Sequence, residues 1–220
     1  MLRLVNRARR QHGLRPLKMQ DDLRKVAREH SKDMARLDYF EHKNFLGQSH
    51  VERLQEAKVT DIHSGENLAK IGGYTHPLLR AHQGLMNSPG HRANILNPSY
   101  NTVGIGIHRA ENKILYFTQN FAKRALIFLK KPPSRIRRQK NFNLHFKPFG
   151  KISYGVYRIS EGPHITHERG FSIHQGNNRL SLSIENAGFY KIELFTGDKN
   201  SSKFTKSNEI ILRVRRGWFG

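Results

Sequence analysis

Among the His and acidic residues of this 220-residue chain, His42, Glu66 and His91 stand out by their neighbours as candidates for metal or acid–base chemistry. His42 follows the aromatic pair Tyr39-Phe40. Glu66 lies in Ser64-Gly65-Glu66-Asn67-Leu68-Ala69, a carboxylate at the entrance of an apolar turn. His91 is the third residue of a short helix opened by Pro89, near its positive end, where a neutral imidazole is favoured over imidazolium. Two neutral imidazoles and one carboxylate, brought together, make a facial divalent-cation site with open positions. The alternative is that each group hydrogen-bonds its own loop, since the three are far apart in sequence.

Other familiar chemistry is missing. Cys is 0, which excludes disulfides, thiolate catalysis, zinc knuckles and iron–sulfur clusters. There is no H-E-x-x-H, no G-x-S-x-G elbow and no glycine-rich phosphate loop. Among the 13 histidines of the chain, His30 falls on an apolar helical stripe and reads as a core or cavity-wall residue. His82 reads as solvent-facing. His164-Ile-Thr-His167-Glu168 reads as an exposed polar turn.

The elements that must position these groups follow from periodicity. Leu23, Val26, Ala27, His30, Met34 and Leu37 recur at three- and four-residue steps, which predicts a helix opened by Asp21 and Asp22. A shorter helix over Leu4–Gln11 stops at Gly13. It begins almost at Met1 with no secretory leader before it, so the chain reads as cytoplasmic or as a mature or trimmed form. Further helices are predicted at Ser49–Ala57 and about His76–Met86, and after Ser88 (N-cap) and Pro89 (N1). Strands are predicted at Thr102–Ile107 and Ile114–Phe121. Gly104 and Gly106 share one face of the first, which signals close approach by another element.

After Lys123 the texture changes. Short apolar runs at Leu126–Leu129, Phe142–Phe146, Ile152–Ile159, Leu180–Ile184, Phe189–Phe195 and Glu209–Val214 alternate with turn-forming residues, which predicts a small all-β sandwich. The division is therefore into residues 1–123 and 124–220, with a linker at about 122–140. The densest basic run, Arg135-Ile-Arg-Arg-Gln-Lys140, reads as solvated linker.

Composition bounds the partners. Hydrophobic residues make up 36 % and the net charge is +22, with mean hydropathy −0.69. Residues 1–123 hold 20 basic and 11 acidic side chains, and 124–220 hold 19 and 6. Such a chain associates non-specifically with nucleic acid, anionic lipid or anionic cell-wall polymer. No apolar run reaches the roughly 18 residues of a membrane span.

One set of motifs is specific. Leu4-Val5-Asn6-x-x-Arg9, Gly13-Leu14-x-Pro16-Leu17, His30-Ser31-x-Asp33-Met34-Ala35, Phe40-x-His42, Gly65-Glu66-Asn67-Leu68-Ala69, Ser88-Pro89-Gly90-His91-Arg92-Ala93-Asn94-Ile95-Leu96, Val103-Gly104-Ile105-Gly106 and Tyr116-Phe117-Thr118-Gln119-Asn120-Phe121 occur in this order. Residues 1 to about 123 thus resemble the CAP superfamily, the SCP domain of cysteine-rich secretory proteins, antigen 5 and pathogenesis-related proteins, in its bacterial form. The resemblance implies an α+β fold, an α–β–α sandwich, with a cleft holding two His and two acids that bind zinc or another divalent cation in some members. His42, Glu66 and His91 match three of the four. At the candidate places for the fourth acid stand Gln83 and Ser88, and Leu85 replaces the usual Trp, so cation affinity is expected to fall. Gln83, Ser88 and Asn67 are expected to line the cleft.

Two functions follow as expectations. The first is a secreted or cell-surface binding module for a lipid or cell-wall component, with the β-rich half tethered to an anionic surface. The second is a metal-dependent hydrolase in which His42 and His91 hold the cation and Glu66 is the general base. A cheaper reading makes the cluster a structural network that shapes the cleft. The family implies an extracellular or cell-envelope location.

Overall fold

The computed structural model describes residues 1–138, 140–197 and 203–216. The chain divides into two compact units: residues 1–59 with 63–123, and residues 60–62 with 124–220.

The first unit contains α1 (Leu2–Gln11), β1 (Lys18–Met19), α2 (Asp21–Arg36), α3 (His50–Glu56), β2 (Ser64–Ile71), α4 (Pro77–Asn87), α5 (Pro89–Ile95), β3 (Thr102–Arg109) and β4 (Leu115–Ala122). Its sheet has the order β1-β3-β4-β2 and is antiparallel except for the β1–β3 pair. Side chains alternate across the strands and fill both faces. On one, Val103, Ile105 and Phe121 pack with Val5, Leu85 and Ile95 of α1, α4 and α5. On the other, α2 lies directly on the strands. A Cβ on Gly104 would collide with the Leu23 carbonyl, and one on Gly106 with the Ala27 carbonyl. The result is helix, sheet, helix in three layers, as the motifs implied.

Arg9 ties α1 to this framework. Its buried guanidinium donates to the carbonyls of Arg15, Ile95, Asn97 and Tyr100. Glu66 lies on a full strand, β2, rather than at a turn entrance, and β2 is an edge of the sheet. His82 is buried on α4, not solvent-facing.

The second unit contains β5 (Leu126–Phe128), β6 (Arg135–Arg137), β7 (Phe142–Pro148), β8 (Tyr154–Glu161), β9 (His164–Ser172), β10 (Asn178–Leu182), β11 (Gly188–Gly197) and β12 (Thr205–Arg215). A three-stranded sheet, β10-β7-β5, and a five-stranded sheet, β6-β12-β11-β8-β9, share one core that includes Leu144, Phe146, Ile159, Ile192, Leu194 and Leu212. His164–Glu168 belongs to edge strand β9 instead of a turn. Arg135–Arg137, read as linker, pairs in parallel with β12, while Gln139 lies outside the described residues.

Three residues from within the first unit's sequence complete this second unit. Asp61 bridges to Asn208, the Thr60 carbonyl accepts from the Glu209 amide, and the Arg124 guanidinium closes on Asp61 Oδ2 through Nε at 2.9 Å and Nη2 at 2.6 Å. Both ion-pair side chains are buried.

Candidate functional site

Glu66 is the centre of the candidate site. Its side chain is only 1 % exposed, on the α2 side of edge strand β2, opposite Asn120 in the ladder. A buried carboxylate needs partners for both oxygens. Oε1 accepts from His42 Nδ1 at 2.9 Å, and Oε2 accepts from Arg53 Nη2 at 2.5 Å.

The local sequence explains how Arg53 arrives there. Ser49 opens α3 with a capping box closed by Glu52, which fixes the first turn and turns Arg53 inward. The other guanidinium nitrogen, Nη1, donates to the carbonyls of His42 and Gln48 at 2.8 Å each. Asn44 pins the loop between them by accepting the Leu46 and Gln48 amides on Oδ1. One buried cation thus holds the carboxylate and the loop that carries His42.

Electrostatics follow this geometry. Burial pushes the Glu66 carboxyl up, but the His42 hydrogen bond and the Arg53 charge outweigh it and hold the group below the usual carboxylate range. The same hydrogen bond raises His42 against the opposing effect of its own burial. His42 is 57 % exposed at its side chain, and with Nδ1 engaged its Nε2 is the nitrogen open to another partner.

Three further imidazoles lie within the field of this cluster. His30 is buried, with Nε2 3.0 Å from the Glu41 carbonyl. His50, the first residue of α3, pairs Nε2 with Ser64 Oγ at 3.3 Å. Burial lowers both, and for both the Arg53 charge adds to the effect while Glu66 opposes it. His91 on α5 is lowered by burial and then by His42. No hydrogen bond joins the His91 ring to His42 or Glu66 among the described residues. Nor, among them, is any set of three His, Asp, Glu or Cys side chains arranged to hold a metal ion.

Glu66 itself is not placed to ligate a divalent cation. Both Glu66 oxygens are engaged, the His42 nitrogen nearest them is a donor, and the neighbouring positive charge is the Arg53 guanidinium.

The expected cleft-lining residues take other places. Asn67 is fully buried: Nδ2 donates to the His91 carbonyl at 3.0 Å, and Oδ1 accepts from Asn94 Nδ2 at 2.9 Å. It therefore ties edge strand β2 to α5. Gln83 is exposed on α4, and Ser88 is half-buried at the α4–α5 junction. Sequence reasoning missed Arg53 and His50. Their i, i+3 spacing across the Ser49-x-x-Glu52 box was the available signal.

Residues 2–121 match the family model described as CAP, the cysteine-rich secretory protein family. The chain is 37 % identical over 126 residues to the uncharacterized membrane protein YlbC of Bacillus subtilis, covering 56 % of this chain and 34 % of that one. It is 35 % identical over 106 residues to the uncharacterized protein YkwD of the same organism, covering 48 % and 40 %. It thus spans well under half the length of these curated relatives. Among solved structures, an extracellular SCP-domain protein from Bacillus anthracis is 35 % identical, with 56 % and 39 % covered and a TM-score of 0.49. An outer surface protein from Borrelia burgdorferi is 23 % identical, with 55 % and 86 % covered and a TM-score of 0.50. No helix among the described residues is long and apolar enough to cross a membrane.

Proposed function

The chain belongs to the cysteine-rich secretory protein family, and from that premise we propose that it is a binding module of the cell exterior. Its first unit presents the His42 ring to a polar cell-wall ligand, with Arg53 in place of a divalent cation as the counterion of Glu66. The observation that carries this reading is the full engagement of the carboxylate, with one oxygen on His42 and the other on Arg53. A general base needs a free lone pair within reach of its water. Glu66 is 1 % exposed with a donor already on each oxygen, which leaves little access for water, whereas His42 Nε2 is held at the surface by a buried anchor. Extracellular and surface proteins among the structural relatives support the location.

Co-sedimentation with purified peptidoglycan sacculi tests the proposal. His42→Ala is expected to reduce pelleting and to lower the melting temperature only modestly, since Glu66 Oε1 loses its donor at a cost of about 1–3 kcal/mol. Zinc titration by calorimetry is expected to show no site tighter than about 0.1 mM. Zinc-dependent hydrolysis of the sacculi that disappears in Glu66→Gln would instead establish the metal-dependent hydrolase.

A further inference from the structure

We propose that the first unit holds an internal water site beneath Glu66, for more than one molecule, formed by His30 of α2, Arg53 of α3 and Asn120 of β4. It shares the geometry of the Glu66 cluster but does not depend on the reading of His42 as a ligand contact, so either can fail without the other.

Strand register puts Asn120 in place. It stands opposite Glu66 on β2 and opposite Gly104 on β3, the glycine against which Leu23 of α2 rests. Its neighbours on the same face also meet α2: Thr118 accepts from Ser31 Oγ at 2.9 Å, and Ala122 packs with Leu23 and Val26. Side chains alternate along a strand, so the Asn120 amide lies between the helix and the sheet, on the side of Glu66, and is wholly buried. Arg53 reaches the same carboxylate from α3 through Nη2. His30 enters from α2, within the field of both charges and only 1 % exposed.

Four buried atoms of these three side chains have no hydrogen-bond partner among the described residues: His30 Nδ1, Arg53 Nε, and both Nδ2 and Oδ1 of Asn120. Exchanging the two ends of the amide leaves that unchanged. The His30 ring is oriented by its 3.0 Å contact with the Glu41 carbonyl. A carbonyl only accepts, so Nε2 carries the proton and Nδ1 presents a bare lone pair. Buried polar groups left unpaired are costly, and folded proteins rarely keep them.

The mixture of donors and acceptors selects the occupant. Arg53 Nε and the Asn120 N–H groups point hydrogens into the site, which does not suit a cation. The His30 lone pair, the Asn120 oxygen and the adjacent carboxylate do not suit an anion. A small neutral molecule that both donates and accepts satisfies them all, and water is that molecule. The three side chains offer about five hydrogen bonds: one at His30, one at Arg53, two from the Asn120 N–H groups and one at its oxygen. An internal water makes about three and at most about four, so a single molecule does not serve the set.

Magnetic relaxation dispersion of the water oxygen nucleus tests this on the full chain, because it counts molecules held inside a protein for longer than its tumbling time. Asn120→Leu and His30→Phe are each expected to remove the equivalent of about one long-lived water, and the double variant about two. The control is Ser31→Ala/Thr118→Val, which removes a hydroxyl pair of the same face that is already joined; its count is expected to stay at that of the unmodified chain. An unchanged count in the folded double variant would overturn the proposal, as would an equal fall in the control. Should the variants not fold, the unmodified chain decides by itself. Its rotating-frame Overhauser spectrum is expected to show dipolar cross-peaks from the Asn120 side-chain amide protons to water, opposite in sign to exchange peaks. Absence of those cross-peaks overturns the site equally.

Discussion

At the scale of single residues, Arg53 and Glu66 define the site. Breaking a buried ion pair from one side leaves an uncompensated charge, which costs about 3–5 kcal/mol, whereas replacing both partners costs far less. Arg53→Met should therefore lower stability by about that amount. It should also free the loop at His42 and Gln48, whose carbonyls the guanidinium now holds. The double variant Arg53→Met/Glu66→Leu is expected to be more stable than Arg53→Met alone. Urea unfolding of the set checks this, and additive losses would mean that the two groups act separately. The sequence exposed half of this arrangement. Glu66 and His42 stood out by their neighbours, whereas Arg53 is one of 39 basic residues. Only the fold reveals which of them is buried against a carboxylate.

At the scale of elements, legibility followed the strength of the apolar pattern. α2 and the strands β3 and β4 were visible because their buried faces repeat at the helical or strand period. β9 was not, since eight of its nine residues are exposed and an edge strand with little to bury carries no alternation. β6 was hidden for a related reason: only Ile136 marks it, between two arginines. The glycines of β3 were read correctly as points of close approach, and they now carry a prediction. Gly106→Ala places a methyl group against the Ala27 carbonyl of α2. The helix must lift from the sheet, at a cost of about 3 kcal/mol or more. The same substitution at Gly84, whose added methyl meets open space on α4, should be neutral or mildly stabilising. Thermal unfolding of the two variants checks the contrast, and equal melting temperatures would refute the packing argument.

At the scale of the whole molecule, the unexpected feature is the tripeptide Thr60–Ile62. Its acid partners Arg124 inside the second unit, and both side chains are buried. Asp61→Ala is therefore expected to destabilise that unit by about 3–5 kcal/mol. Hydrogen exchange read strand by strand should show weaker protection in β11 and β12, with that in β3 and β4 preserved. Uniform loss across all four strands would contradict the assignment of this tripeptide to the second unit. Nothing in the composition near residue 60 marks it, because its partners are set by tertiary structure rather than by local pattern.

That tripeptide also orders events during synthesis. Thr60 and Asn208, joined by a side-chain hydrogen bond, are separated by 148 positions. Domains generally fold as they emerge, the N-terminal one first. Here the early region can finish its own sheet on the ribosome, yet it must keep residues 60–62 uncommitted until nearly the last strand has been translated. Ribosome-bound chains arrested before Asn208 should therefore protect β3 and β4 while residues 60–62 stay open to proteolysis.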